Sequence, residues 1–143
     1  MPEVDFYVLG EPGEAGVLRA ACRVTEMGWA QGLRVYVLAR DDDEAARFDE
    51  LLWTLRADSF VPHERWDGAG TPIARVTVGA LDSPPATPEL LVNLGAPVPG
   101  WFRDCRRIAE FVGADAPLKE AGRHRYREYR EAGAQLRTHE VQP

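Results

Sequence analysis

The sequence predicts an α/β fold, a single domain of three layers in which helices cover both faces of a mostly parallel sheet. Three observations carry that expectation. The chain has 143 residues, 45% hydrophobic and 28% charged, the size and composition of one domain around one core. Short apolar runs rich in strand formers alternate with longer segments whose apolar residues recur at helical spacing, the order that builds parallel crossover units. No repeat, low-complexity tract or linker interrupts this alternation, so residues 1–143 read as one unit.

Residues 4–9 form the first strand through Val4, Phe6, Tyr7, Val8 and Leu9, and Gly10, Pro12 and Gly13 turn the chain after it. Residues 14–31 form a helix with the apolar stripe Val17, Leu18, Ala21, Cys22, Val24 and Met27, stopped by Gly32. A second strand, parallel to the first, covers 33–39. Asp41, Asp42 and Asp43 then offer an N-cap to a helix over 44–53 and suit the positive end of its dipole. As metal ligands these aspartates lack further donors at loop spacing.

Residues 58–63 are a short apolar piece between polar flanks, and 64–72 form a glycine-rich turn, expected as a mobile loop. Strands follow at 74–78 and 90–94, and Pro84, Pro85 and Pro88 keep 82–88 out of helix and ladder. A helical turn covers 101–106. Residues 107–112 are apolar enough for a last strand, with helix continuation as the alternative. The final helix starts near Asp115 and runs through Leu118 to Gly133, and the polar residues 138–143 are expected to fray.

Composition narrows the function classes. No run of about 18 apolar residues is present, and the N-terminus lacks the basic and apolar regions of a signal peptide, so a cytoplasmic protein is expected. Cys22 and Cys105 lie far apart without a CxxC context and read as small core residues. His63, His124 and His139 show no metal-ligand spacing, so no metal is expected. The net charge of −6 disfavours a direct grip on nucleic acid, which calls for a broad basic field.

A parallel α/β domain with Rossmann-like topology invites a nucleotide, but the residues between the first strand and first helix do not fit one. A P-loop needs Lys and Ser/Thr entering the helix, and the chain has Glu14, Ala15, Gly16 and Val17 there. Gly10, Gly13 and Gly16 give GxxGxxG in place of the dinucleotide pattern, and Glu11 and Glu14 would repel a pyrophosphate. No Ser lies in a GxSxG context and neither Cys has a base nearby in sequence. No cofactor and no catalytic residue is therefore assigned. The alternatives left open are a degenerate nucleotide-binding α/β domain or a small enzyme of unrecognised class, since folding can always assemble a carboxylate pair.

Positive charge concentrates in the last helix and its continuation. From Leu118 to Arg137 there are six basic residues against three acidic ones, a net of +3, so the remainder carries −9. At 100° per residue, Lys119, Arg123, Arg127 and Arg130 fall within a sector of about 80°, beside an apolar face of Leu118, Gly122, Tyr126, Tyr129 and Gly133. A local basic stripe on an acidic body suits a small anionic feature such as a peptide carboxylate. The competing explanation is a solvated face laced with i,i+4 ion pairs. Trp53 and Phe60 pose a similar choice: they are either partner anchors or caps on the core.

These residues carry a resemblance. Asp5 to Leu9 at the start, Arg47, Asp49, Leu52 and Trp53 followed by Ser59, Phe60, Pro62 and His63, and the closing Leu118, Lys119, Arg123, Arg125 to Arg127, Tyr129, Arg130, Ala132 and Gly133 resemble the chi subunit family of bacterial DNA polymerase III holoenzyme, nearly end to end. The resemblance implies a non-catalytic adaptor in DNA replication. Its partners would be the psi subunit, which tethers it to the clamp loader, and the acidic C-terminal tail of single-stranded-DNA-binding protein. Carried over residue by residue, the tail site falls on Lys119, Arg123 and Arg127, with Arg130 as a neighbour and Tyr126 as packing, and the psi-facing role on Trp53 and Phe60. Nucleic acid would be met only indirectly. The chain departs from the family where Ala134 replaces the large aromatic that often follows the closing Ala-Gly. Gly122 inside the helix costs about 1 kcal/mol relative to Ala, and Arg125, on the apolar side of the helix, calls for a buried carboxylate that the sequence does not identify.

Overall fold

The computed structural model describes residues 1–55, 57–58 and 60–142. In chain order the elements are β1 (Glu3–Leu9), α1 (Glu14–Ala30), β2 (Val35–Leu38), α2 (Asp42–Thr54), β3 (His63–Arg65), β4 (Val76–Gly79), β5 (Leu90–Asn93), β6 (Arg107–Val112), α3 (Ala116–Glu131) and β7 (Gln135–Val141), with a 3₁₀ turn at Phe102–Asp104. The seven strands form one sheet in the order β3-β4-β2-β5-β6-β1-β7, and every neighbouring pair is parallel.

Side-chain alternation along the strands divides the core in two. Val35, Val37, Val76, Val78, Val92 and Phe111 meet Val17, Leu18 and Ala21 of α1 and Ala45, Phe48 and Leu52 of α2 on one face. Val4, Phe6, Tyr36, Leu38, Leu91 and Ile108 meet Tyr129 of α3 and Phe102 on the other. Strands β2, β4 and β5 are buried along their whole length, as parallel strands covered on both faces must be. The expected three-layer α/β domain is therefore what forms, with a sheet that is entirely parallel.

Several expected details differ. β1 and β2 are parallel but not neighbours, because β5 and β6 lie between them, and the order departs from the 3-2-1-4-5-6 of dinucleotide-binding sheets. Residues 107–112 are the strand expected there. Met27 faces solvent at 57% exposure, and Thr25, whose hydroxyl donates to the Ala21 carbonyl, takes a buried place on α1. The turn expected from residue 64 begins with part of β3, and Glu64 closes the following loop by accepting from the Ile73 and Ala74 amides. Ser59, within the apolar piece expected at 58–63, lies outside the described residues. Asp41 caps α2 as expected, accepting from the Glu44 amide.

The largest correction concerns the end of the chain. The fraying expected at 138–143 does not occur through Val141: β7 pairs with β1 in an unbroken register from Glu3 opposite Gln135 to Leu9 opposite Val141. Buried Asp5 holds it there, accepting from Arg137 Nε at 3.0 Å and bonding His139 Nε2 at 2.8 Å, while the His139 ring stacks on Tyr7 at 4.9 Å. A strand held by an ion cluster at a sheet edge lacks the apolar run by which strands are recognised.

Candidate functional site

Helix α3 carries most of the candidate residues, and two features fix how it lies. At Gly122 an added Cβ would fall 2.8 Å from Cγ2 and 2.9 Å from Cγ1 of Val112 on β6, so only a residue without Cβ permits this approach. Close packing is the return for the helix propensity that Gly122 gives up.

The second feature is a polar network under the helix. Glu110 of β6 is wholly buried, and Arg125 Nε donates to its Oε1 at 2.7 Å. Tyr129 Oη and Asn93 Nδ2 donate to Oε2 at 2.6 and 2.9 Å, and Arg125 Nη2 reaches the Phe111 carbonyl at 3.3 Å. Asn93 in turn gathers the turn after β5, donating to the Ala96 carbonyl and accepting from the Ala96 amide. Glu110 is thus the carboxylate that Arg125 calls for. Burial pushes the Glu110 carboxyl above its ordinary value against the pull of Arg125, Tyr129 and Asn93. Burial, reinforced by the Glu110 charge, raises the Tyr129 hydroxyl as well, so it remains a donor.

So oriented, α3 turns Lys119, Gly122, Arg123 and Tyr126 toward a groove of about 280 Å³ completed by Phe6, Val8, Val112 and Thr138. The Tyr126 ring packs edge-on against Phe6 at 5.2 Å. The floor is apolar and the α3 rim is cationic. Of the five residues expected at this site, Lys119, Arg123 and Tyr126 line the groove. Arg127 is half-buried and reaches His124 Nδ1 at 3.2 Å, and exposed Arg130 continues the same helix edge. Sequence reasoning missed Phe6, Val8, Val112 and Thr138. The alternation of β1 could have offered Phe6 and Val8, whereas Thr138 was hidden in a segment read as frayed.

The charges on this edge are mostly uncompensated. Arg123 pairs with Glu120 at 3.2 Å on the exposed surface, a contact of little energetic weight. Among the described residues, Lys119, Arg127 and Arg130 have no carboxylate at ion-pair distance. Of the four cations expected on this edge, Arg123 alone has an intrahelical carboxylate partner among the described residues.

Trp53 and Phe60 lie elsewhere. They are 45% and 62% exposed, with ring centroids 5.3 Å apart, and Trp53 also covers buried His63 at 4.1 Å. Both rings stand on the surface, and Trp53 at the same time shields His63. His63 opens β3, at the opposite edge of the sheet from β7; six strand spacings separate those edges, roughly 30 Å. The two candidate surfaces do not overlap.

A crevice of about 240 Å³ opens where strand ends and helix starts meet, lined by Gly13, Glu14, Arg40, Gly95, Asp115 and Arg125 among others. Nucleotide phosphates bind at such places on helix N-termini. Here the first turn of α1 presents Glu14, whose carboxylate is hydrogen-bonded by Arg47 and lies 3.7 Å from Arg40. The Arg47 contact holds the Glu14 carboxyl below its ordinary value, so negative charge stands where a phosphate would. Cys22 and Cys105 are free and buried, which pushes both thiols up to about 12, outside the range of a reactive thiolate.

The class this fold and these surfaces define is an all-parallel α/β domain with a cation-rimmed apolar groove at one edge and an exposed aromatic pair at the other. Comparison with known proteins specifies it further. The profile of the DNA polymerase III chi subunit, HolC, matches residues 1–137. A DNA polymerase III subunit chi of Pseudomonas aeruginosa is 34% identical over 142 residues, covering 99% of this chain and 98% of that one. Those of Haemophilus influenzae and Escherichia coli are 31% and 29% identical, each over at least 95% of both chains. The chain belongs to the DNA polymerase III chi subunit family. It is a replication accessory subunit and not a catalytic one, with protein partners in the polymerase assembly. No helix among the described residues is long and apolar enough to cross a membrane.

Proposed function

We propose that this chain is an adaptor that holds the acidic C-terminal tail of single-stranded-DNA-binding protein in the α3 groove and the psi subunit of the clamp-loader assembly on the surface around Trp53 and Phe60. It would work in the cytoplasm and meet DNA only through the coated strand. The observation that carries the tail reading is the groove itself: an apolar recess between Phe6, Val112 and Tyr126, with Lys119 and Arg123 on its rim. A peptide ending in an apolar residue presents a hydrophobic side chain beside a free carboxylate. The recess takes the side chain and the rim takes the charge. Upstream acidic residues meet Arg127 and Arg130, whose charges lack carboxylate partners among the described residues.

The psi reading rests on the exposed Trp53–Phe60 pair, since large aromatics left in solvent are the residues most often found as interface anchors. Its distance from the groove suits a protein that couples two partners at once. Capture of single-stranded-DNA-binding protein from solution, intact or lacking its last residues, tests the tail reading. The intact protein is retained and the truncated one passes through; equal retention of both would overturn it.

A further inference from the structure

One long strand edge of this protein is open beside the groove. Among the described residues β7 ends the sheet and pairs with β1 along one side only, so its outward N–H and C=O groups are available to an added strand. Proteins guard such edges with short strands, proline, bulges or outward charge. The strand at the other edge, β3, has three residues. β7 has seven, with no proline and a register free of bulges. Its Arg137 and His139 side chains are drawn down onto Asp5. Thr138 belongs to this strand and to the groove wall alike.

We propose that the residues just before the end of the bound acidic peptide add to β7 as an eighth strand; this rests on the reading that the groove takes that end. The place of the groove, where Lys119 and Arg123 meet Val8, Val112 and Thr138, sets the direction together with charge. Glu140 is opposite Val8, a groove residue, so the far end of β7 repels an acidic chain. At the near end, α3 finishes with exposed Arg130 and Glu131, and after three intervening residues Gln135 starts β7 opposite Glu3, which Arg107 and Arg137 each approach at 3.9 Å. A peptide whose carboxylate lies at Lys119 and Arg123 and whose acidic stretch avoids Glu140 enters past Gln135 and runs toward Thr138. It is then parallel to β7, like the six ladders already in the sheet. Main-chain bonds of this kind supply affinity that does not depend on which acidic residue occupies each position.

The test uses the full chain and a short acidic peptide ending in Pro-Phe with a free carboxylate, with N-methyl groups introduced one at a time upstream of the proline. Methylation at alternate positions is expected to weaken binding about tenfold, by removing a hydrogen bond and crowding the ladder, while the positions between keep the parent affinity. A spin label on the peptide N-terminus should broaden the amide signal of Gln135 more than that of Val141. Tight binding with a flat methylation scan, or broadening centred on Val141, overturns the added strand and leaves the groove reading standing. A parent peptide that fails to bind overturns both.

Discussion

Arg125 of α3 places its Nε 2.7 Å from Oε1 of Glu110 on β6, with Arg125 buried and Glu110 wholly closed off from solvent. An ion pair in that position holds the rotation of a helix whose opposite edge carries Lys119 and Arg123. Isolated buried charges are costly, so the pair stands only because Tyr129 and Asn93 complete the coordination of the carboxylate.

Glu110→Leu alone should therefore destabilise the protein by about 3–5 kcal/mol in urea unfolding, because it leaves the Arg125 charge buried and unpaired. Combined with Arg125→Met, the loss should be smaller than for Glu110→Leu alone. Additive losses would contradict the pairing.

Gly122→Ala separates two physical effects of opposite sign. Helix propensity alone predicts a gain of about 1 kcal/mol. The 2.8 Å contact with Val112 predicts a loss of about 1–3 kcal/mol and a shift of α3 at the groove. We expect the loss, accompanied by weaker peptide binding, with urea unfolding and titration calorimetry as the checks.

Much of this was legible beforehand. The apolar runs at β1, β2, β4, β5 and β6 and the periodicities of α1, α2 and α3 gave the layers, because burial on both faces writes itself into sequence as continuous hydrophobicity. The cationic edge of α3 was legible for the same reason of period. Strand order was not, since β1 neighbours β6 and β7 through contacts distant in sequence. β7 was missed because ion pairing to Asp5, and not burial, holds it down. Missing β7 meant missing Thr138 and the open strand edge at the groove. Glu110 reads as one more residue of an apolar strand until the fold brings Arg125, Tyr129 and Asn93 onto it.

Asp5 makes the β7 contact sensitive to acid. Burial alone would raise its carboxyl, but the hydrogen bonds and charges of His139 and Arg137 outweigh that and hold it below the ordinary 3.8. A carboxyl depressed in the folded state binds protons more readily when unfolded, so its stabilisation is present above about pH 4 and is lost as pH falls through the lower folded value. Asp5→Asn should remove this component. The stability gap between wild type and variant, measured by thermal unfolding, should shrink from about pH 6 to about pH 3.

The two surfaces should fail independently. Trp53→Ala or Phe60→Ala, at exposed positions, should weaken the complex with a psi subunit by tenfold or more, a loss of at least about 1.4 kcal/mol, as expected for an aromatic anchor. Tail-peptide binding should stay unchanged, because the surfaces lie at opposite edges of the sheet. Loss of both activities in circular dichroism-competent protein would contradict that separation.

The most direct test of the account is titration calorimetry of the full chain with an acidic peptide ending in Pro-Phe, comparing wild type with an Arg123→Ala, Arg127→Ala double variant that retains the wild-type unfolding midpoint. The wild type is expected to bind with salt-sensitive affinity, and the variant at least tenfold more weakly. An affinity within twofold of wild type would contradict the assignment of the groove and its cationic rim.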